Sequence, residues 1–204
     1  MIHTVDTNTE ASSPGDIVID KQKYLDYIGL QGLKRTYYSL LLRLPKDLLY
    51  KRFHKNPVVF HYIRKIEQFK LGCLNPTVVV DKDNGLIATF TNLTFTGSSP
   101  TPVIKISREP LHLIKEPALF NGLRLPTVAL YQRDPRKQQA YAWDNFDPKI
   151  ANCFTDDILA CDHLLSRLSK NAWICLQEGL KQVQTPGATG LYYVQLDPVL
   201  VENA

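Results

Sequence analysis

Cysteine, methionine, tryptophan and long apolar runs are all scarce in this 204-residue chain, and each scarcity removes a class of protein. Four cysteines, at positions 73, 153, 161 and 175, are too sparse for a disulfide scaffold, and free thiols are expected. The longest apolar run, Tyr37 to Leu42, is closed by Arg43 far short of the roughly 20 residues a membrane helix needs. The first twenty residues contain no lysine or arginine and four acids, Asp6, Glu10, Asp16 and Asp20. That is the reverse of a secretory signal, so a cytoplasmic protein is expected. What remains is ordinary globular composition, 44% hydrophobic and 22% charged, in a chain long enough to sustain its own core.

The net charge of +4 is unevenly distributed. Residues 1–20 sum to −4; residues 21–70 carry twelve cations against Asp26, Asp47 and Glu67, which gives +9; the remainder holds twelve cations and thirteen acids, −1. One quarter of the chain therefore generates nearly all of the positive field, as a partner of opposite charge requires.

Three regions follow from composition and periodicity: a disordered acidic tail over 1–20, a basic helical region over 21–71, and an α+β domain over 72–204. From Lys21 to Leu44 apolar residues recur at three- to five-residue steps, a helical spacing that Gly29 and Gly32 weaken by about 1 kcal/mol each. A short helix is expected over Asp47 to Lys55, and another over 57–69, started by Asn56-Pro57. In the latter, Val59, Ile63, Ile66 and Phe69 share one face, with His61, Arg64 and Lys65 toward the other.

β-Branched runs predict strands at Thr77 to Val80, Leu86 to Phe90, Val103 to Ser107, Thr127 to Gln132 and Tyr141 to Phe146. Asp81 to Gly85 has Gly one position too early for an EF-hand loop and Asn92 where the terminal Glu would stand, so it reads as a hairpin turn. Five short strands in this span predict a small antiparallel β-barrel or curved sheet, OB-like or SH3-like. A helix pair follows, capped at Thr155 and Ser169, then a closing strand over Leu191 to Leu196.

Candidate chemistry is thin. Cys153, Cys161, His163 and Cys175 offer zinc-type donors but not the close pairs of a zinc site, and no metal and no cofactor is expected. Asp144, Asp147, Asp156, Asp157 and Asp162 crowd one passage of chain, where turn and helix-capping roles account for them, Asp147-Pro148 reading as a turn. The denser signal is the interleaving of cations with rings: Tyr50, Lys51, Arg52, Phe53, Lys55, Tyr62, Arg64 and Lys65. Such an array neutralises phosphates while rings stack or enter an interface. The expected function is non-catalytic binding: an intracellular adaptor whose basic helices contact nucleic acid, anionic lipid or an acidic protein. The alternative is a small hydrolase or transferase using Asp144, Asp147 or Cys153 with His163 between the sheet and the C-terminal helices.

Overall fold

A computed structural model describes residues 14–29, 43–45, 48, 55–94, 99–115, 119–133 and 142–204. Helix α1 (Lys21–Tyr27) begins where the Asp20 carboxylate accepts the Lys23 backbone N–H at 2.9 Å. It stops short of the expected Leu44 because Gly29 takes a left-handed φ of +63°, which ends a helix at little cost for glycine. The expected helix over Asp47 to Lys55 falls mostly outside the described residues. Helix α2 (Pro57–Leu71) starts as the sequence predicts: Pro57 is its first residue, and the Asn56 side chain accepts from Val59 N–H at 3.3 Å.

Strands β1 (Cys73–Asp81), β2 (Leu86–Asn92), β3 (Pro102–Arg108), β4 (Arg124–Gln132), β5 (Asn145–Ile150) and β6 (Gly190–Tyr193) form one antiparallel sheet in the order β5-β4-β1-β2-β3-β6. The sheet curls without closing. Across the curl Trp143 N–H donates to the Leu93 carbonyl at 2.8 Å, and Lys105 on β3 reaches Asn145 Oδ1 at 3.0 Å and the Phe146 carbonyl. A half-barrel results, within an α+β fold. β5 lies four residues later than the sequence pattern placed it and contains Asp147-Pro148, which is therefore no turn; an edge strand tolerates proline because its outer N–H needs no partner. At that edge the open carbonyls of Phe146 and Asp147 accept instead from the side chains of Lys105 and Gln68.

Alternation along the strands divides the sheet into two faces. The outer one, with Ala88, Phe90, Ile104 and Ile106, is covered by helix α4 (Lys170–Lys181), whose Cys175 and Leu176 pack on it, and by helix α5 (Pro198–Glu202) through Val201. Gly179 marks the closest approach, since a Cβ there would stand 2.9 Å from Ile104. The inner face holds a hydroxyl ladder, with Thr77 Oγ1 2.7 Å from Thr89 and 2.8 Å from Thr127. Helix α3 (Ile158–Arg167) is capped by Asp157 rather than the expected Thr155, and Ser169 caps α4 as predicted.

Two boundaries drawn from composition change. Residues 14–20, expected within the disordered tail, form an extended strap: Gly15 N–H reaches the Gly72 carbonyl, Ile17 N–H that of Phe69 and Asp20 N–H that of Phe154, while Ile17 and Ile19 are buried. The described helices of 21–71 are likewise no separate region. Tyr24, Leu25, Val59, Ile63 and Phe69 share one core with Leu74, Val79, Leu125, Val128, Ile150 and Phe154. Alternating strap residues and a single helical stripe are too short a pattern to announce burial on their own, and much of the apolar surface they cover belongs to β4 and β5, more than fifty residues away.

Candidate functional site

The α2 stripe aims Val59, Ile63 and Phe69 inward, and 3.6-residue periodicity carries part of the polar flank in with them. Tyr62 is 3% exposed, its ring 4.8 Å from that of Tyr24, and burial, then the neighbouring Asp20, push its hydroxyl up to about 12. Lys65 is 6% exposed, its ammonium 2.7 Å from Gln68 Oε1 and 3.2 Å from Asp147 Oδ2. Both were expected on a binding face, and both lie inside. Arg64 is half-buried and 3.6 Å from Glu67; Lys55 is exposed; Tyr50, Lys51, Arg52 and Phe53 lie outside the described residues.

Lys65 opens a chain of charges that joins three elements and the turn after β3. Asp147 on β5 pairs through its second oxygen with Lys149 at 3.2 Å, Lys149 with Glu109 at 2.9 Å, and Glu109 accepts the Tyr27 hydroxyl of α1 at 2.6 Å. Asp147 and Lys149 share one face of β5 because they are two residues apart on a strand. Glu109, with a side chain only 2% exposed, sits just beyond β3.

Electrostatics follow from burial and from neighbours. Burial works to raise the Asp147 carboxyl, but Lys149 and Lys65 outweigh it and hold Asp147 below the usual carboxylate range. Burial likewise opposes the charged form of Lys149, yet Glu109, Tyr27 and Asp147 lift it above lysine's ordinary value. At Lys65 burial prevails over Asp147, and its ammonium titrates below the ordinary value. His61, beside Tyr24 with Nδ1 2.9 Å from the hydroxyl, is lowered by burial and then by Lys65 and Lys149. At neutral pH the chain is thus an alternation of paired charges with hydrogen bonds at its ends, an arrangement that locks α1, α2 and β5 in register.

The groups of the alternative enzymatic reading do not converge. Cys153 is fully buried in the 3₁₀ turn after β5, and burial, then Glu109, raise its thiol, the opposite of an activated nucleophile. His163 is exposed on α3, Asp157 caps that helix, and Asp156 is taken by Lys23 at 2.6 Å and Lys115 at 2.7 Å. All four cysteines are free, and among the described residues no group of three or more His, Cys, Asp or Glu could hold a metal ion.

Sequence reasoning missed Glu109, Lys149, Tyr27 and Gln68. Asp147 lies 82 residues from Lys65, as Glu109 does from Tyr27, so no local spacing announces them. The available signal was Asp147-Pro148-Lys149 on a strand, which puts both charges on one face; reading the dipeptide as a turn concealed it.

No curated protein matches the chain. Among solved structures, a crystal structure described as that of a "putative membrane protein" from Corynebacterium diphtheriae aligns with 59% of this chain and 99% of its own, at 17% identity and a TM-score of 0.49. Among the described residues no helix is long and apolar enough to cross a membrane. The family model for DUF3239, a protein of unknown function, matches residues 63–184, from the middle of α2 to just beyond α4, a stretch that includes Lys65, Glu109, Asp147 and Lys149. That match spans more than half of the chain, which therefore belongs to the DUF3239 family.

Proposed function

We propose that the chain is a non-catalytic cytoplasmic binding protein whose exposed cations on and before α2 meet an anionic surface. The outward face of α2 carries the reading: Phe60 is 44% exposed, Lys70 is exposed and Arg64 is half-exposed, directly after Lys51, Arg52 and Lys55 in the sequence. A ring among cations supplies charge neutralisation together with stacking or interfacial contact. Inside the fold the groups that could react are held by structural partners, which weighs against catalysis. Four free thiols agree with a reducing compartment.

Retention on an anionic polymer across a salt gradient tests the proposal, comparing the wild type with a Lys51→Glu, Arg52→Glu, Lys55→Glu variant. Each phosphate-like contact steepens the dependence of log affinity on log salt by about 0.7 to 0.9. The variant is expected to elute early with a flattened slope. An unchanged slope overturns the proposal.

A further inference from the structure

The turn Lys82 to Gly85, the stretch Arg108 to His112 at the end of β3 and Tyr27 of α1 line a pocket of about 510 Å³ to which α2 contributes nothing. That volume falls within the roughly 300–1,000 Å³ of small-molecule sites. Local constraints build its walls. Glu109 N–H donates to the Gly85 carbonyl at 2.8 Å, and a Cβ at Gly85, whose φ is +68°, would stand 2.6 Å from the Glu109 carbonyl oxygen, so the turn can come this close only with glycine. Lys82 N–H donates to Asn121 Oδ1 at 2.8 Å and fixes the outer end of the turn. Leu111, 3% exposed, roots the other wall in the core, while His112, next to it in the 3₁₀ turn, is exposed.

Every acid in and beside the pocket is engaged. Asp81 accepts from the backbone N–H groups of Asp83 and Asn84 and from the Asn84 side chain; Asp83 pairs with Lys82 at 2.8 Å; Glu109 holds Lys149 and the Tyr27 hydroxyl. Two basic groups are not engaged. Arg108 and His112 are exposed, and among the described residues neither side chain makes a hydrogen bond or salt bridge. Lys82, Arg108 and Lys149 balance Asp81, Asp83 and Glu109 in charge, so the pocket selects by directed donors rather than by a strong field. A guanidinium fork fits two oxygens of an oxyanion side by side. His112 is a donor for a third oxygen, which a phosphate has and a carboxylate lacks. We infer that the pocket binds a small organic phosphate, with the oxyanion on Arg108 and His112 and an apolar body against Tyr27, Pro110 and Leu111. The site is separate from the cations of the proposed function.

Titration calorimetry of the full chain with phenyl phosphate, benzoate and inorganic phosphate tests this, using Arg108→Gln, Arg108→Lys, His112→Gln and, outside the pocket, Lys70→Gln. All three positions are exposed, so circular dichroism suffices to confirm folding. Wild type is expected to bind phenyl phosphate saturably and more tightly than the other two probes. Arg108→Gln should weaken that binding about tenfold or more, corresponding to about 1.4 kcal/mol. Arg108→Lys keeps the charge, loses the fork and should bind no better than Arg108→Gln; His112→Gln should also bind more weakly, and Lys70→Gln should match wild type. Four results each overturn the inference: no saturable binding of phenyl phosphate; equal affinity for inorganic phosphate, which means an adventitious ion only; equal affinity for benzoate; or wild-type affinity in either Arg108 variant. The Lys51→Glu, Arg52→Glu, Lys55→Glu variant should bind phenyl phosphate as wild type does. Its retention on the anionic polymer therefore speaks to the proposed function, and phenyl phosphate binding in the Arg108 variants to the pocket.

Discussion

At Asp147 a half-exposed carboxylate stands between two ammoniums, one of which, Lys65, has a side chain only 8% exposed. Removing the carboxylate leaves Lys65 inside without its counter-charge, and an uncompensated buried charge costs far more than the pair itself contributes. Because Asp147 is 37% exposed, water screens part of that loss, and Asp147→Asn should lower the unfolding free energy at neutral pH by about 1–2 kcal/mol. The sign with pH follows from the depressed carboxyl. Its contribution is fully present above the ordinary carboxylate range near 4 and is lost as pH falls through the lower folded value. Urea midpoints for wild type and variant should therefore converge on acidification; a constant gap down to the acid limb would show that Asp147 is not the titrating partner. Glu109 is the more deeply placed acid, and Tyr27 and Lys149 both depend on it.

Among the elements, the strap has the least sequence signal and a disproportionate structural role. Three backbone hydrogen bonds join it to the end of α2 and to the turn before α3, and Ile17 and Ile19 close one side of the largest core cluster. Its path passes over Gly15 and Gly72, where close packing leaves no room: a Cβ at Gly72 would stand 2.5 Å from the Gln68 carbonyl oxygen and 2.7 Å from that of Ala129. Deleting residues 1–20 is expected to cost about 3 kcal/mol or more, since each buried aliphatic side chain contributes roughly 1.5–3 kcal/mol. Chemical denaturation of the truncated chain measures this, and unchanged stability would mean that the strap lies on the fold without holding it.

For the molecule as a whole, α1 and α2 bury the same surface of β1, β4 and β5 that the strap and α3 bury, so cooperative unfolding of the described residues is expected. Trp143 reports from inside the curl, and Trp173, whose ring lies 4.6 Å from the Arg124 guanidinium, from the helix on the outer face. Fluorescence from these two and far-ultraviolet circular dichroism should show coincident transitions; an early loss of helical signal would separate the basic helices from the sheet after all.

Much of this was written locally. Asn56-Pro57, Ser169 and Asp81 to Gly85 placed a helix start, a cap and a hairpin, because caps and turns depend on a few adjacent residues, and strand propensities brought out β1 to β4 and the α+β class. The sequence by itself determined these elements, the free thiols' scarcity and the location of the basic segment. Tertiary structure alone decided that the sheet stays open, that β5 begins at Asn145, that Tyr62 and Lys65 turn inward, and that Lys65, Asp147, Lys149, Glu109 and Tyr27 meet. Periodicity states which residues share a face. Which face is buried, and which distant charge awaits it there, depends on contacts between elements far apart in the chain, 82 residues for Lys65 and Asp147, and no local pattern encodes such a separation.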